Sequence, residues 1–146
     1  MRLYQATTKD LEGVSRLFNE YRMFYGQPSD VEGAEQFIKE RLEKHDSIIF
    51  AASSENGYAG FVQLYPSFSS VSMKRTWILN DLYVAADARR QGAGQALIDE
   101  ALKLCKRTNA KSVTLQTAPS NKSAQKLYEK NGFLIDDAYL TYSLDF

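Results

Sequence analysis

"TWILNDLYVAADARRQGAGQALIDEALKLC", Thr76 to Cys105, is the stretch on which the reading of the fold turns. Its opening, TWILNDLYV, is rich in β-branched and aromatic residues and predicts a strand. A short loop follows, and from Gly92 onward Leu97, Ile98, Ala101, Leu102 and Cys105 recur at helical spacing. A strand, a loop and a pair of glycines at a helix entry form a layout suited to binding an anion. The first amides of a helix have no internal partner, and the macrodipole adds positive potential there. Gly92 and Gly94 remove side chains that would hold a phosphate away, and Arg89 and Arg90 can supply charge-assisted hydrogen bonds. A P-loop needs Lys and then Ser or Thr after its glycines, but Gln95-Ala96 stands here. A dinucleotide fingerprint needs a third glycine and opens from a first strand. The alternative left open by these residues alone is a plain loop-to-helix junction.

Outward from this stretch, the N-terminal RLYQAT reads as a strand. Thr7 or Thr8 then caps a helix whose Leu11, Val14, Leu17, Phe18 and Tyr21 form one face. That helix should run to about Phe24 and stop at YGQPSD. A second begins after Ser29, with Val31, Ala34, Phe37, Ile38 and Leu42 on a face. SIIFAAS and YAGFVQLY predict an antiparallel pair across SENG. Pro66 marks PSFSSVSMKR as a loop or an irregular strand edge. SVTLQT alternates as a strand, NKSAQKLYEKNG is a short helix ended by Asn131-Gly132, and FLID and AYLTYSLDF complete the chain as two strands. The order βααβββαβαββ predicts one α+β domain over residues 1–146, a mixed sheet flanked by helices.

Composition bounds the function. Lys plus Arg and Asp plus Glu both number 18 in 146 residues, which gives no general case for a nucleic-acid or membrane-surface partner. A single cysteine cannot form an internal disulfide, and MRLYQATTKD lacks the apolar run of a secretory signal. No stretch approaches the roughly 20 apolar residues of a membrane span. A cytoplasmic protein is expected. No metal site is expected either, since His45, the lone histidine, sits in the charged stretch ERLEKHDS as a solvated helix-end residue.

Two segments together resemble a known family. Arg89-x-x-Gly92-x-Gly94 resembles the acetyl-coenzyme A signature of the GNAT superfamily of N-acetyltransferases, and NDLYV before it is similar to that family's central strand. NKSAQKLYEKNGF, Asn121 to Phe133, resembles the second signature, Asn-x-x-Ala-x-x-Leu-Tyr-x-x-x-Gly-Phe. The resemblance extends from Leu3 to the last strand, nearest to the branch that acetylates polyamines, histones and related amino compounds. It implies a sheet that splays between TWILNDLYV and SVTLQT, with the arm of acetyl-CoA in the gap and its pyrophosphate on the amides of Gln91, Gly92, Ala93, Gly94 and Gln95. Leu82, Tyr83 and Val84 would line the arm, with the acyl oxygen against an amide near Leu82 or Tyr83, and Asn121 would face the arm or cap its helix.

The implied reaction moves an acetyl group from a thioester to an amine by direct attack, so the amine must lose a proton and the leaving sulfur must gain one. The resemblance places Tyr128 as the general acid. Where some relatives carry a Glu as base, this chain has Asn80, which cannot accept the proton. Asp81 is the remaining candidate base, with bulk water as the alternative, and sequence parity does not settle where Asp81 points because a bulge there would reverse it. Cys105 reads as a buried, inert thiol. Tyr25, Tyr65 and Trp77 are the expected walls of an acceptor pocket for a small cationic amine. A lysine-acetylating enzyme acting on protein tails and a non-catalytic coenzyme A-binding regulator are the alternatives. The alternating last strand implies a homodimer.

Overall fold

The computed structural model describes all 146 residues, Met1–Phe146. They form two compact units, Met1–Leu115 and Gln116–Phe146. The first holds β1 (Arg2–Gln5), α1 (Leu11–Phe24), α2 (Val31–Lys44), β2 (Ile48–Ser54), β3 (Gly57–Ser69), β4 (Lys74–Val84), α3 (Ala93–Arg107) and β5 (Ser112–Thr114). Local chemistry sets the boundaries. The Thr7 hydroxyl and the Asp10 carboxylate form a reciprocal capping box on a one-turn 3-10 segment that leads into α1. Asp30 caps α2 by accepting from the Gly33 amide at 2.9 Å. Between these helices the buried Asn19 side chain donates to the Ser29 hydroxyl and accepts from the Asp30 amide, which fixes the course of the Gly- and Pro-containing connection.

The strands lie in the order β1-β2-β3-β4-β5, antiparallel except for the parallel β4–β5 pair. One face of this mixed sheet packs on α1 and α2 through Val14, Leu17, Phe18, Ile38, Ile49 and Phe61. The other packs on α3 through Val62, Leu64, Trp77, Leu79, Leu97 and Ala101. Pro66 does not interrupt β3, which continues to Ser69 with Pro66 opposite Trp77. The reason is positional: β2 pairs with β3 only as far as Leu64, so beyond it β3 has a free side where a missing N–H costs nothing. β5 is also shorter than SVTLQT, covering three residues.

The second unit holds α4 (Lys122–Lys130), capped by the Asn121 side chain on the Ala124 amide at 3.2 Å. The element order agrees with expectation through α4, but FLID and AYLTYSLDF form no strand. Leu134, Ile135, Tyr139, Leu140, Tyr142, Leu144 and Phe146 are instead all at least 80% exposed. Alternation supplies a strand with a face; it does not supply the neighbouring backbone that its amides and carbonyls require.

Candidate active site

A bulge in β4 decides which side chains reach the α1–α2 face. Gln63 pairs with Asp81 but Leu64 pairs with Leu79, so Asn80 is an extra residue in β4. Without it, residues 77, 79, 81 and 83 would share one face. With it, Trp77 and Leu79 pack toward α3, whereas Asp81 and Tyr83 turn toward α1 and α2. The parity left open by the sequence is thereby settled: Asp81 sits on the α1–α2 face.

There it is 4% exposed and held by three donors. Gln63 Nε2 donates to Oδ2 at 2.7 Å, Asn80 Nδ2 donates to Oδ1 at 3.0 Å, and the Tyr21 hydroxyl completes the set. Gln63, itself fully buried, is fixed in turn by the Ser47 hydroxyl, which donates to its Oε1 at 2.8 Å. Burial pushes the Asp81 carboxyl above its usual value, and the bonds from Gln63, Tyr21 and Asn80 oppose that rise. Tyr65, reached by alternation on the same face of β3, has its phenol pushed up to about 12, by burial first and then by the negative charge of Asp81. Tyr21 stacks edge-on with Tyr25 at 5.0 Å and with Tyr83 at 6.2 Å between ring centroids. Tyr25 is about half exposed at the end of α1.

Trp77 departs from expectation. It is 5% exposed in the α3-side core, and its indole N–H donates to the Thr108 hydroxyl at 2.9 Å. Because the bulge separates the faces, Trp77 cannot line a pocket with Tyr25 and Tyr65. Gln63 and Ser47 escaped the sequence reading; a Gln inside the apolar run AGFVQLY was the signal that was available.

The anion-binding layout is present at the other end of β4. β5 pairs with β4 only over Thr76–Ile78, so from Leu79 to Val84 β4 has a strand on one side alone. This unpaired stretch lies where the splay is expected, and Leu82 and Val84 flank it on the α3 face, with Tyr83 on the other. After Val84 the chain makes a 3-10 turn over Ala86–Ala88 and reaches Arg90 and Gly92, both with left-handed backbone, φ 64° and 86°. A non-glycine residue held there costs roughly 1–2 kcal/mol. A Cβ built on Gly92 would meet nothing within 4 Å, so the glycine serves conformation and leaves open space above the backbone. Gly92 is the N-cap of α3 and makes no side-chain cap. The first helical bond runs from the Ala96 amide to the Gly92 carbonyl, and the amides before it lack helical acceptors. These features suit a pyrophosphate. Arg89 is committed elsewhere in part: its Nε donates to the Val84 carbonyl at 3.1 Å, and its guanidinium lies over the Tyr83 and Phe24 rings. Arg90 and Gln91 are exposed.

In the second unit, Asn121 serves as the α4 cap, and the Tyr128 ring packs against Phe133 at 5.8 Å. His45 is the left-handed C-cap of α2. Cys105 is half-buried, and burial pushes its thiol up, which keeps it protonated and unreactive. No cluster of three or more His, Cys, Asp or Glu side chains has metal-binding geometry, and no helix is long and apolar enough to cross a membrane.

Comparison with known proteins bears on the same residues. The model of the acetyltransferase (GNAT) family matches residues 14–133. A Bacillus subtilis (strain 168) protein described as the uncharacterized N-acetyltransferase YhfO is 48% identical over 145 residues, 99% of this chain and 97% of its own length. A probable acetyltransferase of Haemophilus influenzae is 31% identical over 137 residues, with 93% and 92% covered. Among solved structures, the crystal structure of a probable acetyltransferase, 42% identical, matches 100% of this chain and 98% of its own with a TM-score of 0.94.

Proposed function

The chain belongs to the GNAT family of acetyltransferases, and from that premise we propose that it moves an acetyl group from acetyl-CoA to the primary amine of a small molecule. The observation that carries this reading is that β4 runs on to Val84 without β5 beside it beyond Ile78, and that the loop after it ends in a left-handed Gly92 at a helix start without a side-chain cap. In this reading, the amides from Gln91 to Gln95 take the pyrophosphate, and Arg90 supplies positive charge beside them. Arg89 contributes mainly by holding the loop to Val84. Leu82, Tyr83 and Val84 line the acyl-bearing arm, and an amide of β4 near Leu82 or Tyr83 faces the acyl oxygen as it gains charge. Tyr128 gives the leaving sulfur its proton, and Asn121 stands at the start of the same helix. Asp81 is the ultimate acceptor of the amine's proton.

The acceptor site lies on the α1–α2 face, with Tyr25 and Tyr65 as walls and Trp77 left to the core. Aromatic rings beside a buried carboxylate favour a short cation, polyamine-like or amino-acid-like, over a protein tail. Residues 1–146 act as one acetyltransferase domain, in a reducing, cytoplasmic setting consistent with a lone cysteine. The working form is a homodimer. Its support is the row of exposed apolar side chains from Leu134 to Phe146, together with a β5 edge to which no strand is paired.

An amine panel with acetyl-CoA, read by release of free thiol, tests the function. Spermidine or single amino acids should outrun a lysine-rich peptide, with intersecting double-reciprocal plots as direct attack requires. A ten-fold preference for the peptide, about 1.4 kcal/mol in transition-state binding, would overturn the small-amine reading. Tyr128→Phe should cut turnover by ~10²–10⁴-fold while coenzyme A affinity holds.

A further inference from the structure

Asp81 cannot meet an acceptor amine directly: it is 4% exposed, with Gln63 on one carboxylate oxygen and Asn80 on the other. Of the three side chains that donate to it, Gln63, Asn80 and Tyr21, only Tyr21 bears a hydroxyl that can both take up a proton and hand one on. Tyr21, on the last turns of α1 and only partly buried, directs its hydroxyl at Asp81 and also lies 3.4 Å from the Asn80 carbonyl. Its ring is held by Phe18, Phe61, Tyr25 and Tyr83, with centroids 5.0–6.2 Å away, so the hydroxyl has little freedom to leave. The half-exposed Tyr25 ring borders it on the solvent side.

We propose that Tyr21 is a catalytic residue, the relay through which the acceptor's proton reaches Asp81. This rests on the reading of Asp81 as the proton acceptor. The acceptor ammonium binds against the Tyr21 oxygen. As its N–H bond breaks, that oxygen takes the proton, and the Tyr21 O–H proton passes to an oxygen of Asp81. The amine keeps the electron pair with which it attacks, and Asp81 ends neutral. Gln63, locked by Ser47, is a positioning residue that keeps the carboxylate aimed at Tyr21. The titratable and charged groups around the pair are Tyr25 on α1, Tyr65 on β3 with Arg41 and Asp46 behind it, and Tyr83 on β4 with Glu20 and Arg89. None of these is hydrogen-bonded to the Asp81 carboxylate, as Tyr21 is.

The experiment is a double-mutant cycle of Tyr21→Phe and Asp81→Asn, with kcat/KM followed against pH using an amine identified by the panel. Phe preserves the ring packing, and circular dichroism with thermal melts verifies the fold. Each single variant should lose roughly 10²-fold or more, and the double variant should be no worse than the weaker single, because the two act as one unit. In Tyr21→Phe the acid limb should also move to higher pH, since a donor that favours ionised Asp81 has gone. Multiplying losses, or a harmless Tyr21→Phe beside a crippled Asp81→Asn, would overturn the relay while leaving Asp81 as base. A harmless Asp81→Asn would overturn the base reading itself, and the relay with it.

Discussion

The two faces of the sheet differ in what they bury. Toward α3 the strands present Phe50, Ala52, Val62, Leu64, Trp77 and Leu79, and the polar contact they make is the Trp77 indole on Thr108. Toward α1 and α2 the same strands bury Ile49 and Phe61 but also Gln63 and Asp81, joined with Ser47, just before β2, in one hydrogen-bonded chain. A continuous apolar face gains stability with every methylene it removes from water. A buried carboxylate spends some of that stability, and the proposed role of Asp81 as proton acceptor gives a reason for it on this face. The single residue Asn80 creates the difference by reversing the alternation of β4 at mid-strand.

Substitutions on the two faces should therefore separate stability from activity. The largest expected effect is Asp81→Asn on turnover, a loss of ~10²-fold or more if the face is catalytic. Its effect on stability should have the opposite sign. Burial holds the folded carboxyl above its unfolded value near 3.8, so Asp81's contribution is complete below that value and is lost as pH rises through the folded one. Thermal melts of Asp81→Asn against the native chain should thus show the variant gaining ground from pH 4 to pH 7. A variant that loses ground over that range would mean that the three donors outweigh burial.

Leu97→Ala tests the opposite face. Leu97 is fully buried in the α3-side core, and truncation there should cost about 2–5 kcal/mol in denaturant unfolding. The acid limb of kcat/KM should stay where it was. A moved limb would show that the two faces are coupled and the comparison too simple.

A third substitution probes the end of β4, where both faces give way to the loop. Val at Gly92 would combine a β-branched side chain with a left-handed backbone, so a loss of binding would be confounded with strain. Gly94→Glu is cleaner. A negative side chain in the first turn of α3 suits the helix dipole and should leave the melting temperature within a few degrees. The same charge opposes a pyrophosphate, so calorimetry should show coenzyme A affinity reduced about ten-fold, or about 1.4 kcal/mol. Full affinity in the folded variant would move the phosphates away from this helix start.

The smallest effect belongs to Trp77→Phe. Losing the indole bond to Thr108 should cost about 0.5–1.5 kcal/mol of stability. The KM for the amine should not change, because Trp77 faces away from Tyr25 and Tyr65. A raised KM would restore Trp77 to the acceptor pocket.

Sequence alone determined what depends on neighbours along the chain. The spacing of Leu11, Val14, Leu17 and Phe18 marks α1, the caps and glycines mark helix ends, and Arg89 through Gly94 mark the loop that enters α3. Only the tertiary structure decided what depends on pairing between distant residues. The extra residue at Asn80 becomes visible against the register of β3, and that register sends Asp81 to one face and Trp77 to the other. It likewise reveals that Pro66 can lie in a strand, because β2 has already ended, and that the alternation of AYLTYSLDF makes no strand by itself. The physical reason is common to all three. Side-chain periodicity is written into a single segment, whereas a ladder of hydrogen bonds belongs to two, and one residue more or fewer in either reverses every side chain beyond it.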